Sequence, residues 1–448
     1  MFEDRSDRIT TNPPFRGYGV AVTPAPDGPR AYVAGFGQPN RFLSWRDGEF
    51  VDVSCGILAD EGNHALGVAA ADLDEDGREE VYVHNGASFG GVSPEPDLLL
   101  DPDDGRWTDL FSHTVNDGRA NRRVGRSVAA IDRLGTGRYG ILVTGYGAPA
   151  RFYELGDDRE ITDLAETVGL AVTTGGRSLV TGPIVTDRTD VFVGVERGPN
   201  LLLQNDDGRF VDVADDYGVA DPHGHARGAT LVSPTGGPRF DLACCNWEGE
   251  NHLFERTRDG FCDATPPAFA TPGRARTVVA ADFDNDGSPE LFINCLGQRN
   301  RLFTHRDGWT AVDPGAATEA RGYGTGAAVA DFDGDGTLEL LVVHGESEAQ
   351  PLSLYAVPND GAWVRVRPTT PAGAPARGAR VVLETSDGRQ TRAVDAGSGY
   401  LCQMEPVAHF GLGTATPDRA RVRWPDGRER TVESVRARTT VDVPHPSA

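Results

Sequence analysis

The chain contains no lysine. All 43 basic side chains among its 448 residues are arginine, set against 67 aspartates and glutamates, for a formal net charge of −24. That balance argues against wrapping nucleic acid or inserting into an anionic membrane. Long apolar runs are absent as well: nothing approaches the roughly 20 residues that span a bilayer. Residues 1–19 carry no charged segment leading into an apolar one, so no secretory signal is read and a cytoplasmic setting is expected on that ground. Six cysteines (Cys55, Cys244, Cys245, Cys262, Cys295, Cys402) form no CxxC pair and read as free thiols serving as small core residues. Catalytic signatures are also missing: there is no nucleophile elbow, no HExxH and no P-loop. The glycines of RGYGTGAAVAD lead into a strand, not into the helix a dinucleotide would need.

Acidic residues in place of lysine suit a protein kept soluble in concentrated salt, so the composition points to a halophilic source. Apolar runs nevertheless recur along the whole chain, which separates it from a disordered polyanion.

The stretches PNRFLSWRDGEFVDV, PDLLLDPDDGRWTDL, PNLLLQNDDGRFVDV, NHLFERTRDGFCDA and NRLFTHRDGWTAVD share one plan: an apolar run, a turn ending in glycine, and an aromatic residue with alternation behind it. Asp-Gly between such runs marks a hairpin. The turns fall at Gly48, Gly105, near Asp158, and at Gly208, Gly260, Gly308 and Gly361, a period of about fifty residues. Each unit also carries an earlier segment of small residues, such as GVAAAD or TVVAAD, and a second strand such as EEVYVHN or ELFINCLG. Four short strands repeated seven times predict an all-β fold, a seven-bladed β-propeller over residues 17–361, in preference to a sandwich array. Residues 1–16 form an N-terminal segment. Residues 362–448 break the repeat and predict a small β-rich domain docked on the last blade.

Three loops repeat one acidic pattern: Asp72, Asp74, Asp76, Gly77 and Glu80; Asp282, Asp284, Asp286, Gly287 and Glu290; Asp331, Asp333, Asp335, Gly336 and Glu339. Positions 1, 3, 5 and 9 offer carboxylates and the glycine permits a sharp turn. That donor set fits Ca²⁺ better than the strictly octahedral Mg²⁺, which implies about three structural calcium sites. Position 12 is Val83, Ile293 or Val342, so these are not EF-hands. Gathering carboxylates without an ion is unfavourable, since two charges about 4 Å apart repel by about 4 kcal/mol at an effective dielectric of 20. The corresponding loop after Asp132 lacks ligands, and TPAPDGPR, PIVTDRTD and SPTGGPRF replace it elsewhere, so those blades are expected to be metal-free.

The acidic loop between two strands resembles the FG-GAP/VCBS repeats of integrin-α-type propellers. The tail, through GAR, DAGSGYLCQ, HFGLG and VRWPDG, resembles the ASPIC/UnbV domain. The pairing is similar to that of the cartilage acidic protein 1 family. The resemblance implies a calcium-stabilised propeller used for binding, often extracellular, with the metal role falling on the three complete loops.

The segments entering each first strand carry arginine or histidine, among them Arg123, Arg126, Arg177, Arg227, Arg276 and Arg321. On a propeller these connections gather at one channel mouth, and the aspartate loops lie on the opposite face. A guanidinium ring in an acidic protein would focus an anionic ligand, either a protein or an anionic glycan. Pairing of those arginines with neighbouring acids is the structural alternative. The sequence therefore suggests a binding propeller without evident catalysis. The competing reading is a lyase or hydrolase acting on an anionic saccharide at the arginine-rich mouth.

Overall fold

The structure, a computed structural model, describes residues 1–86, 91–103 and 106–448, so the turn glycine expected at Gly105 lies outside the described residues. The small-residue segments form seven first strands: Gly17–Thr23, Ala65–Ala71, Gly125–Ile131, Thr173–Gly182, Ala226–Val232, Ala275–Ala281 and Gly324–Ala330. Each opens a four-stranded antiparallel unit; the third and fourth units join into one eight-stranded sheet, and the first gains Cys402–Gln403 as a fifth, parallel strand. The first strands pack side by side in sequence order, and the last packs against the first, which closes a β-propeller. No helix among the described residues is long and apolar enough to cross a membrane.

Small residues are required where first strands crowd around the axis. A Cβ on Gly67 would stand 2.3 Å from Arg126 O on the next blade, and one on Gly326 would stand 2.3 Å from Tyr18 O. Behind this inner layer, alternating apolar residues of neighbouring blades form the cores, as where Val81, Val83 and Leu100 pack on Tyr32 and Phe42. Cys244, Cys245, Cys295 and Cys402 are buried as expected, but Cys55 and Cys262 are exposed, because they lie at the outer edge of their blades.

Two placements differ from the sequence reading. Gly361 closes no hairpin. After Ser353–Ala356 the chain runs into Ala362–Pro368 of the C-terminal unit, and the outer strand of the seventh blade is Glu3–Asp4, with Glu3 opposite Ala356 and Asp4 opposite Tyr355. A ring made from one chain needs a bond between its two ends, and this borrowed strand supplies it. Phe2 anchors the strand, with its ring centroid 4.9 Å from that of Phe283 and 6.0 Å from that of Phe292.

The C-terminal unit is a pair of sheets around Val364, Val381, Phe410 and Trp424. It does not rest on the last blade alone but covers the face that carries the aspartate loops. Arg377 reaches Val22 O on the first blade at 2.8 Å, Tyr139 Oη on the third donates to Arg377 O at 2.9 Å, and Arg380 pairs with Asp187 on the fourth at 2.9 Å. From this unit, residues 395–405 enter the channel. Val20 pairs in parallel with Cys402, Ala70 N–H donates to Gln403 Oε1 at 2.7 Å, and Ala130 N–H donates to Ala396 O at 2.9 Å. Thr181 N–H donates to Gly397 O at 3.2 Å, and Gly399 N–H donates to Ala229 O at 2.6 Å. Tyr400 N–H donates to Thr277 Oγ1 at 2.8 Å, and Glu405 N–H to Val329 O at 3.2 Å. All seven first strands thus find partners for groups that a bare channel edge would leave unpaired.

This close threading is testable at Gly19, where a Cβ would lie 2.4 Å from Leu401 O and 2.5 Å from Leu66 O. Gly19→Ala is expected to destabilise the protein by about 1–3 kcal/mol, read as a lower midpoint of denaturant unfolding in calcium-containing buffer.

Candidate metal loops and arginine-lined mouth

Each complete loop joins the first and second strands of a blade, and its turn is built from its own carboxylates. In the second blade, Asp72 accepts from Glu75 N–H at 2.7 Å and Gly77 N–H at 3.1 Å, and Glu80 accepts from Leu73 N–H at 2.6 Å. Gly77 has φ +87°, a left-handed conformation that favours glycine. The sixth and seventh blades repeat the pattern, with Gly287 N–H on Asp282, Phe283 N–H on Glu290, Gly336 N–H on Asp331 and Phe332 N–H on Glu339.

Three groups bring their oxygens within 4.8 Å of one another: Asp72, Asp74 and Glu80; Asp282, Asp284 and Glu290; Asp331, Asp333 and Glu339. Asp76, Asp286 and Asp335 fall outside these groups. Each instead accepts from the backbone N–H two residues on, at Arg78, Ser288 and Thr337. Four buried oxygens have no hydrogen-bond donor: Glu80 Oε1, Asp282 Oδ1, Glu290 Oε1 and Asp331 Oδ1. Buried acceptors without donors, converging on one point among further carboxylates, fit a hard divalent cation. Burial pushes Asp72 and Asp282 up to about 7, Asp331 up to about 6 and Glu290 up to about 10, and neighbouring carboxylates add to each shift.

The blades without the acidic pattern close the same turn differently. Asp132 accepts from Gly135, Thr136 and Gly137 N–H, and Asp190 from Val185, Thr186 and Asn205 N–H. Both oxygens of each are committed to the backbone.

The acidic loops also seat the C-terminal unit. Asp282 Oδ2 accepts from Gly411 N–H at 2.9 Å, and Asp331 Oδ2 lies 2.8 Å from Arg365, which also pairs with Glu405. His409 Nε2 lies 2.7 Å from Asn285 Oδ1. Beside Glu80, Glu79 pairs with Arg377, and both side chains are essentially without solvent exposure. Arg377 Nε lies 2.5 Å from Glu79 Oε1, and its terminal nitrogens donate to the backbone oxygens of Asp395, Met404 and Val22. One guanidinium therefore holds both roots of the threaded segment.

At the opposite channel end, every first strand shifts register against its second strand at the same place. Such a bulge re-aims a side chain, and six residues at it, Tyr18, Leu66, Arg126, Arg177, Arg227 and Arg276, line one cavity, whereas the Thr325 hydroxyl lies 2.9 Å from Gly17 O and 3.0 Å from Val343 O. The four arginines line that cavity, of about 230 Å³, together with Glu196, Glu346, Trp247 and Tyr400. Glu196 pairs with Arg177 and lies 2.7 Å from Arg227, while Glu346 pairs with Arg276. Burial alone would raise Glu196, but Arg227 and Arg177 pull it down to about 2. Burial opposes ionisation of the Tyr400 phenol as well, and the four surrounding arginines overcome it and set Tyr400 below the ordinary tyrosine range. Arg123 lines a different cavity, beside Arg119, Arg122 and Arg151, and Arg321 is exposed on the loop before the seventh blade.

Family models agree with both halves of the chain: residues 238–293 match an FG-GAP-like repeat and residues 369–448 match ASPIC and UnbV. Cartilage acidic protein 1 of Xenopus tropicalis is 41% identical over 485 aligned positions, covering 97% of this chain and 75% of that protein. The chain belongs to the cartilage acidic protein 1 family. The human cartilage acidic protein 1 is 40% identical, covering 97% of this chain and 73% of that protein. Residues that sequence reasoning passed over include Arg377, Glu79, Glu196, Glu346 and Trp247, none of which occupies a position that the repeat holds constant. Aligning GYG, ALG, GRS, ARG and GTG by their bulge would have exposed the inward-facing position.

Two outcomes follow for this family member. Unfolded carboxylates titrate near 4, so between about pH 4 and 7 the metal-free fold binds more protons than the unfolded chain and loses stability as pH rises. A cation removes that penalty. The gain in melting temperature on replacing chelator with calcium is therefore expected to grow from about pH 5 to about pH 7.5, as read by differential scanning calorimetry. Arg377→Ala leaves Glu79 buried without its partner and is expected to cost about 3–5 kcal/mol, measured by denaturant titration with calcium present.

Proposed function

We propose that this protein is a calcium-stabilised recognition propeller whose arginine-lined mouth engages an anionic group on a protein or glycan partner. The observation that carries this reading is the convergence of Arg126, Arg177, Arg227 and Arg276, from four successive blades, on one cavity. Four guanidiniums face two carboxylates there, so the mouth is locally cationic in a chain of net charge −24. In a low-dielectric cleft such a patch concentrates anions. The C-terminal unit covers the aspartate face, which leaves the arginine face as the open one. The calcium loops brace the blade turns and the docked unit and take no part in recognition. Family resemblance favours an extracellular setting, where calcium is abundant enough to fill sites of modest affinity.

A second reading is supported by Tyr400. Held below its ordinary range among four arginines, Tyr400 ionises more readily, and its phenolate would be equipped to take a proton from an anionic saccharide while the guanidiniums stabilise the developing charge. Incubating the calcium-loaded protein with a panel of acidic glycans separates the two. Binding predicts capture of unshortened glycan that weakens with added salt, whereas shortened chains would establish cleavage. If no glycan and no acidic protein is retained at low salt, the recognition reading fails.

A further inference from the structure

Two guanidiniums in the mouth have donors left over. Arg227 gives one terminal nitrogen to Glu196 and the other to Ala226 O, and Arg276 pairs with Glu346, yet the Nε–H of each is buried without an acceptor. Both side chains are only 5% exposed. Both lie over the Trp247 ring, at 5.6 and 4.4 Å from its centroid. Both residues line the cavity, where their guanidiniums would meet an anionic ligand.

Size and wall chemistry narrow its class. At about 230 Å³ the cavity has room for a ring-sized ligand and exceeds what a bare oxyanion would fill. Beside the charged groups its wall is aromatic or apolar, from Tyr18, Phe36, Leu66, Trp247 and Tyr400. A pyranose ring bearing a carboxylate meets all of these demands. Its C–H face packs on aromatic rings, its hydroxyls meet the polar rim, and its carboxylate accepts charge-assisted bonds. We propose that the cavity holds the terminal uronate-type residue of an acidic saccharide, with its carboxylate held by the guanidiniums of Arg227 and Arg276 beside Trp247. This rests on reading the mouth as an anion-recognition site and adds the ligand class.

The test is calorimetric titration of D-glucuronate, D-glucose, acetate and N-acetyl-aspartate into the calcium-loaded full chain. Glucuronate is expected to bind in the millimolar range and glucose not at all. Arg227→Gln and Arg276→Gln should each weaken glucuronate binding about tenfold or more. Glu346→Gln keeps both clamps and removes a competing carboxylate, so it should tighten binding severalfold, which a merely structural role for these residues would not produce. If acetate or N-acetyl-aspartate binds as well as glucuronate, the saccharide class is overturned while anion recognition stands. If none of the carboxylates binds, the uronate proposal falls, and anion recognition falls with it only if acidic glycans and acidic proteins are not retained either. Unchanged glucuronate affinity in both arginine variants, with normal melting, would overturn the proposed clamp.

Discussion

The molecule depends on the hydrogen bonding between residues 395–405 and the inner edges of the seven first strands. A propeller blade starts with an edge strand facing the axis, and an edge strand exposes unpaired N–H and C=O groups. Here the protein supplies its own cover. Gln403 uses its side-chain amide on both polar groups of Ala70, at 2.7 and 3.0 Å, while Gly397 and Gly399 meet the fourth and fifth blades with backbone alone. Glycine is needed at these points: a Cβ on Gly399 would stand 2.3 Å from Thr277 Oγ1, and one on Gly397 would stand 2.5 Å from Ala129 Cβ. The channel is thereby a packed core, and the C-terminal unit becomes part of it.

That threading joins two faces with different chemistry. On the aspartate face, loops with donorless buried oxygens stand beside the contacts that seat the C-terminal unit. Asp282 commits one oxygen to Gly411 N–H and leaves the other without a donor. On the opposite face the segment delivers Tyr400 to the floor of an arginine cavity. Arg377 sits between the two, buried with Glu79 and bonded to the backbone where the segment leaves and re-enters its own domain. A buried guanidinium without a partner would be prohibitively unfavourable, so this pair fixes how the two units meet.

The charge distribution reflects the same division. The chain carries a net charge of −24, yet the four arginines that line the mouth are buried on successive first strands. Glu196 bridges two of them and Glu346 neutralises a third, so the mouth is held together by paired charges yet retains a cationic excess.

The repeated hairpins, small-residue strands and acidic spacings are local patterns, and the sequence by itself determined the all-β repeat, the family and the candidate metal loops, because turn chemistry and strand alternation act within a few residues of one another. It also suggested that arginines gather at one mouth. Only the tertiary structure decided which of them meet: a bulge turns Arg126, Arg177, Arg227 and Arg276 inward, while Arg123 and Arg321 end elsewhere. The closing strand from Glu3–Asp4, the Glu79–Arg377 pair and the seat of Tyr400 were equally illegible. Each joins residues far apart in the chain, and such pairings follow from ring closure and burial, which no local pattern encodes.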